Sequence, residues 1–216
     1  MQNILPFLKK LQANNTKDWF DTNRSTYEIA KQEFETFVQQ IITGICKFDK
    51  AVEQQEAKKC IFRINKDVRF SKDKSPYKNN MGASINPGGK KSVVPGYYLH
   101  IQPGASFLAG GVYMPMPDVL AKIRQEIDYN PNPLLKILKS KSFKKYFKDL
   151  DQEDKLKNPP KGYDKEHKHV ELLKHKHFIV SHPLSDKDLN EAKIKETIIS
   201  GFKAMHPFLG YLRTAF

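Results

Sequence analysis

Between Lys59 and Met114 the hydrophobic repeat changes from helical spacing to alternation, and Gly/Pro/Asn pairs cut the stretch into short pieces. A chain written this way has to build an antiparallel sheet at its centre. Gly82 to Ile85 ends at the turn Asn86-Pro87-Gly88-Gly89, Tyr97 to Gln102 ends at Pro103-Gly104, and Phe107 to Tyr113 returns as a third strand. Gly110-Gly111 inside that third run marks a bulge or a close approach of backbone. Phe62, Ile64, Val68 and Phe70 alternate with Arg63, Asn65, Asp67 and Arg69, so an earlier strand is expected there as well.

Helical periodicity flanks this block on both sides. Ile4 to Leu11 reads as a short helix stopped by Asn14-Asn15, and Trp19-Phe20 should pack onto the helix that follows. That helix opens with Ser25-Thr26-Tyr27-Glu28, the form of a capping box, and carries Ala30, Phe34, Val38, Ile41 and Ile45 at steps of three and four. After Pro117 come a stripe of Val119, Ile123 and Ile127, short pieces at Leu134 to Leu138 and Phe143 to Phe147, and the irregular Asn158-Pro159-Pro160 run. His177 to Ser181 reads as a last strand, with Ser185 capping a C-terminal helix through Ile198, Phe202 and Met205. No linker or repeat divides the chain. The expectation is a single α+β domain over residues 1–216, an antiparallel β-meander packed against N-terminal and C-terminal helices.

The hydrophobic content of 39% is too high for a disordered chain, and the net charge is +13. That charge is localised. Residues 59–91 carry nine basic and two acidic side chains and residues 136–177 carry thirteen and seven, while the remaining segments nearly balance. For the lysine-dominated second block a solvated basic face is the plainer reading; the first is richer in arginine. Cys46 and Cys60 lack the spacing of a disulfide framework or zinc knuckle, and no apolar run approaches the length of a membrane span, so a cytoplasmic protein is expected.

Extended through Phe70, the first block would project Arg63, Asn65, Asp67 and Arg69 from one sheet face, with Lys72, Lys74 and Lys78 reaching over it from a loop closed by Pro76. Guanidiniums grip phosphate or carboxylate bidentately, so these residues and Tyr77 form the candidate ligand-binding set, with Tyr77, Tyr97 and Tyr98 as stacking surfaces. An Arg/Asp ladder on a solvent-facing sheet is the competing structural reading. Catalytic candidates are Asp67, Asp73 and His100. His167, His169, His175 and His177 cluster in sequence without a cysteine or an i, i+4 partner, so neither metal nor cofactor is expected.

Phe7-Leu8, Asn14-Asn15, Trp19-Phe20, the run Phe62 to Lys78, Gly96-Tyr97-Tyr98-Leu99-His100-Ile101 and Pro160-Lys161-Gly162-Tyr163-Asp164 together resemble the uncharacterised family called domain of unknown function 2461. The resemblance spans nearly the whole chain. It implies a largely bacterial, cytoplasmic, single-domain protein and carries no established activity; His167-Lys168 stands where a His-Pro pair is common in the family. Three functional readings follow from the residues. The first is an anion-binding domain for a phosphate-bearing ligand, nucleic acid or nucleotide, on a basic sheet face and loop. The second is an enzyme acting on a small phosphorylated or carboxylated substrate. The third is a non-catalytic interaction module with an acidic partner.

Overall fold

The computed structural model describes residues 1–216. Three helices lead, α1 (Ile4–Ala13), α2 (Lys17–Thr22) and α3 (Arg24–Ile45), followed by the single turn α4 (Ala57–Cys60). The sheet is an antiparallel meander in the order β1 (Met81–Ile85), β2 (Gly96–Ile101), β3 (Ser106–Val112), β4 (Phe178–Leu184). Between β3 and β4 lie α5 (Pro117–Tyr129), α6 (Pro131–Lys139), α7 (Lys141–Tyr146) and α8 (Val170–Leu173), and α9 (Ile194–Arg213) ends the fold. The chain is thus the expected α+β protein, with helices from both termini around a meander.

Alternation decides which sheet face is covered. Tyr97, Leu99 and Ile101 of β2 are fully buried, and in register with them lie Ala83, Ile85, Leu108 and Gly110. α9 packs on β3, and α3 packs on α9. Gly110 makes the approach of α9 possible, because a Cβ there would run into the Met205 sulfur. β4 is an edge strand, which is why it tolerates Pro183. Pro207 sits inside α9 at a local cost of about 3 kcal/mol, and the helix continues because Phe208, Leu209 and Leu212 are buried beyond it.

Two helix starts differ from the sequence expectation. Ser25 does not cap α3; the helix begins at Arg24, directly after α2 and Asn23, so the capping-box serine lies inside the first turn. Ser185 and Asp188 exchange hydrogen bonds across the short turn Asp188–Asn190, and α9 starts later, at Ile194. The strand expected over Phe62–Phe70 is also absent. That segment is irregular, and its backbone bonds to the sheet are confined to its start, the isolated bridge Ile61↔Ala83 and the Phe62 amide bonded to the Gly82 carbonyl.

A buried ionic knot ties three remote parts of the chain together. Asp49, just past α3, is 3% exposed and accepts hydrogen bonds from the Tyr97 hydroxyl of β2 (2.8 Å) and the Ala51 amide (3.1 Å). Arg213, at the end of α9, reaches the same carboxylate at 2.9 Å and donates through Nε to the Pro95 carbonyl. Burial alone would push the Asp49 carboxyl up, but Tyr97, Arg213 and the amide together hold it below the usual carboxylate range. Asp49→Asn should therefore cost about 3 kcal/mol in urea unfolding at neutral pH, because it strands the Arg213 charge. The folded-state pKa lies below the unfolded one, so this contribution is complete above about pH 4. The gap between wild type and variant should close as pH falls through the folded value.

Candidate functional site

The sheet face opposite the helices is not fully covered. Residues of its register rows, Ser84, Tyr98, Ala109, Gly96, Gly111 and Ile179, floor a cleft of about 750 Å³ that crosses the sheet from the outer edge of β1 toward β4. Phe62 and the Ser92–Val94 stretch of the β1–β2 loop wall one end. The connection from β3 to α5, Tyr113 to Met116, walls the other. Small residues at the start of β2, Gly96, and along β3, Ala109 and Gly111, produce the trough, and large flanking side chains give it walls.

The interior is aromatic. Phe62 meets Tyr98 edge-on at 6.3 Å, Tyr98 lies 5.8 Å from Phe107, and Phe107 stacks on His100 at 4.6 Å. The Tyr98 hydroxyl lies 3.0 Å from His100 Nδ1, and His100 Nε2 lies 2.9 Å from Gln102 Oε1. An amide oxygen can only accept, so His100 carries its proton on Nε2 and takes the Tyr98 hydroxyl hydrogen on Nδ1. The result is a polarised phenol beside the cleft floor. Gly82 makes room for it, since a Cβ there would stand 2.7 Å from the Tyr98 oxygen. Apolar surface continues outward, with Val93, Tyr113, Met114 and Met116 all more than half exposed. Such a concentration around one concavity is uncommon on a surface that meets only water.

The structure sorts the candidate residues of the basic run into distinct groups. Asp67 and Arg69 form a bidentate pair at 3.0 and 2.7 Å, which holds the Asp67 carboxyl below its usual range. Asp73 is held low by Lys66 at 2.5 Å and by the Ser75 amide. Both acids are exposed and saturated by local partners. Asn65 bridges Tyr77, and Lys74 donates to the Val68 carbonyl; Lys72 is exposed at the loop tip. Tyr77 is buried, stacked on Phe20 at 4.0 Å and locked by reciprocal hydrogen bonds to Asn15, so it ties the loop to the leading helices. Tyr97 is likewise in the core.

Arg63 and Lys78 belong elsewhere, together with Lys90 of the β1–β2 loop. Lys78 Nζ donates to the Arg63 carbonyl (2.9 Å) and Lys90 Nζ to the Ile61 carbonyl (2.8 Å), and the two ammoniums stand 5.6 and 5.9 Å from the Phe62 ring. Two ammoniums thus gather at the Phe62 wall of the aromatic cleft, with the Arg63 charge near enough to act on both Lys78 and Asp67, and neither ammonium forms an ion pair. Burial, reinforced by Arg63 and Lys90, pushes the Lys78 ammonium pKa down. Self-repulsion of this kind is relieved by an anion. In the sequence Gly88-Gly89-Lys90-Lys91 reads as a second flexible basic turn, and its meaning depends on where the β1–β2 loop folds.

The histidines of the C-terminal half do not converge on a metal site. His167 bonds Asp128 at 2.9 Å, His177 approaches Asp151 at 3.5 Å, and His175 is buried beside Phe178. No helix is long and apolar enough to cross a membrane.

Fold and cleft together define an α+β protein with an aromatic trough on the open face of a meander and a knot of uncompensated cations at its edge. The family model described as "Conserved hypothetical protein (DUF2461)" matches residues 3–211, and the chain belongs to that family. No curated protein and no solved structure matches it.

Burial lowers the His100 pKa against a smaller opposing effect from Gln102, so its ring should titrate below 6.5 when followed by NMR. The unfolded chain then binds that proton first, and His100 removes stability as pH falls from about 6.5 through the folded value. Gly82→Ala should force Tyr98 off His100, at about 1–3 kcal/mol, read by thermal unfolding and by the changed His100 titration.

Proposed function

We propose that the cleft mouth binds a phosphate-bearing anion, a nucleotide or nucleic acid, gripped by Arg63, Lys78 and Lys90. The observation that carries this reading is the convergence of the Lys78 and Lys90 ammoniums on Phe62 with no carboxylate paired to either, and with Arg63 near enough to repel Lys78, beside a run in which Asp67–Arg69 and Lys66–Asp73 cancel in pairs. Two ammoniums fixed by backbone carbonyls are pre-positioned, so less side-chain entropy is lost when a ligand arrives. An arginine beside them adds bidentate recognition of phosphate oxygens. A second reading, an enzyme acting on a small phosphorylated substrate, draws support from the Gln102–His100–Tyr98 chain, which sets a polarised hydroxyl within the same aromatic cleft. The unpaired Cys46 and Cys60 support a reducing compartment, and we assign the protein to the cytoplasm on that ground.

Isothermal titration with pyrophosphate and anisotropy with labelled oligonucleotides test the reading directly. Binding should weaken steeply with salt, and Lys78→Ala/Lys90→Ala should weaken it at least about tenfold. Arg69→Ala should change it little, because Asp67 already neutralises that guanidinium. Equal losses from the two variants would point to a diffuse charge effect and remove the site from this wall.

A further inference from the structure

We propose that the cleft takes the unpaired bases of a single-stranded nucleic acid, stacked against Phe62 and Tyr98, while Arg63, Lys78 and Lys90 follow its phosphates. The proposal rests on the anion-binding reading and names the ligand of that same site. Phosphate alone would account for the cations but leave the aromatic trough without a purpose. An apolar ligand would account for the trough but leave the Lys78 and Lys90 ammoniums uncompensated at its wall. A strand with exposed bases supplies flat π-faces and anions on one molecule, at the separation of a ring and its own phosphate.

A duplex fits the geometry badly. Its bases are turned inward and stacked on one another, so it offers the cleft only a charged backbone, and the apolar walls would be desolvated against nothing. A lone nucleotide would occupy the enclosed part and leave the outer apolar rim wet. That rim is substantial: Val93, Tyr113, Met114 and Met116 are 60%, 68%, 72% and 63% exposed. Successive bases of a strand can cover it, Tyr113 offering a further aromatic face and the two methionines adapting to ring outlines of different size.

Asn86 adds a base-edge contact within the cleft. Its side-chain oxygen accepts from Ser84 Oγ at 3.0 Å and its amide nitrogen donates to the Ser92 carbonyl at 3.3 Å. One hydrogen and one lone pair of the amide remain, a donor and an acceptor side by side that suit the edge of an unpaired base.

The probes are a labelled oligothymidylate of about ten nucleotides, the same strand with its bases removed, and its duplex with oligodeoxyadenylate. Anisotropy should give the intact strand at least about tenfold tighter binding than either control. Phe62→Ala should erase most of that advantage, while leaving the fold intact because the ring is 40% exposed. Quenching of tyrosine fluorescence that is lost in Tyr98→Phe/Tyr113→Ala would give independent support for stacking. If all three probes bind equally and lose affinity in Lys78→Ala/Lys90→Ala, the base-stacking proposal falls and the anion site stands. If no oligonucleotide binds while pyrophosphate does, the proposal also falls and the ligand is a small phosphorylated molecule. If neither binds, both readings fall together.

Discussion

The Asp49 carboxylate is the point on which this architecture turns. It receives the Tyr97 hydroxyl from the middle of the sheet and the Arg213 guanidinium from the last turn of the final helix. A buried ion pair of this kind is a poor source of net stability, since desolvation consumes most of the Coulomb attraction, but it is demanding about geometry. Only one placement of α9 against β2 and the end of α3 satisfies both partners. His206 stands at 3.1 Å from the Tyr97 oxygen and 3.5 Å from Asp49, so the same helix contributes twice to the knot. With one sheet face clamped in this way, the opposite face of the same strands is held rigidly enough to carry a preformed cleft.

The alternation of β2 divides the labour between those faces. Tyr97, Leu99 and Ile101 are spent on the core, and Tyr98 and His100 are left to the open side. Adjacent tyrosines therefore have opposite roles. Tyr97 is immobilised by Asp49, while Tyr98 is oriented by His100 and lies in the aromatic chain from Phe62 to Phe107. The basic run from Arg63 to Lys78 is built on a different logic. Its side chains close short loops on their own backbone, Asp67 to Arg69, Asp73 to Ser75, Lys74 to Val68, and these local bonds replace the ladder that a strand would have supplied. What charge remains after the local pairing is that of Lys72 and Lys74 on the exposed loop and of the cations beside Phe62.

Much of the secondary structure was legible because it rests on short-range signals. The turns at Asn86-Pro87-Gly88-Gly89 and Pro103-Gly104 fixed the three central strands nearly to the residue, and the 3.6 repeat of Ala30, Phe34, Val38 and Ile41 fixed α3. The run Phe62 to Phe70 misled because alternation is only half of what makes a strand. It also needs a partner edge, and beyond Ile61 and Phe62 this segment finds none but its own Asn65↔Tyr77 bridge. The candidate site was legible in part. Arg63, Lys78, Tyr98 and His100 stand in or beside the cleft, whereas Tyr77 serves the core and Asp67, Arg69 and Asp73 are consumed by neighbours.

By itself the sequence determined the fold class, the order of elements, the concentration of positive charge between Lys59 and Lys91 and the membership of a family, because each is written in residue type and local spacing. Tertiary structure alone decided which charges stay uncompensated. Pairing depends on distances of a few ångströms between residues such as Lys78 and Lys90, which lie on separate turns and meet only when β1 and its loop bring both to Phe62. It likewise decided that the ring of Tyr98, and not that of Tyr97, faces the site. Alternation separates the two faces of a strand, and only the packing of α9 says which face is in.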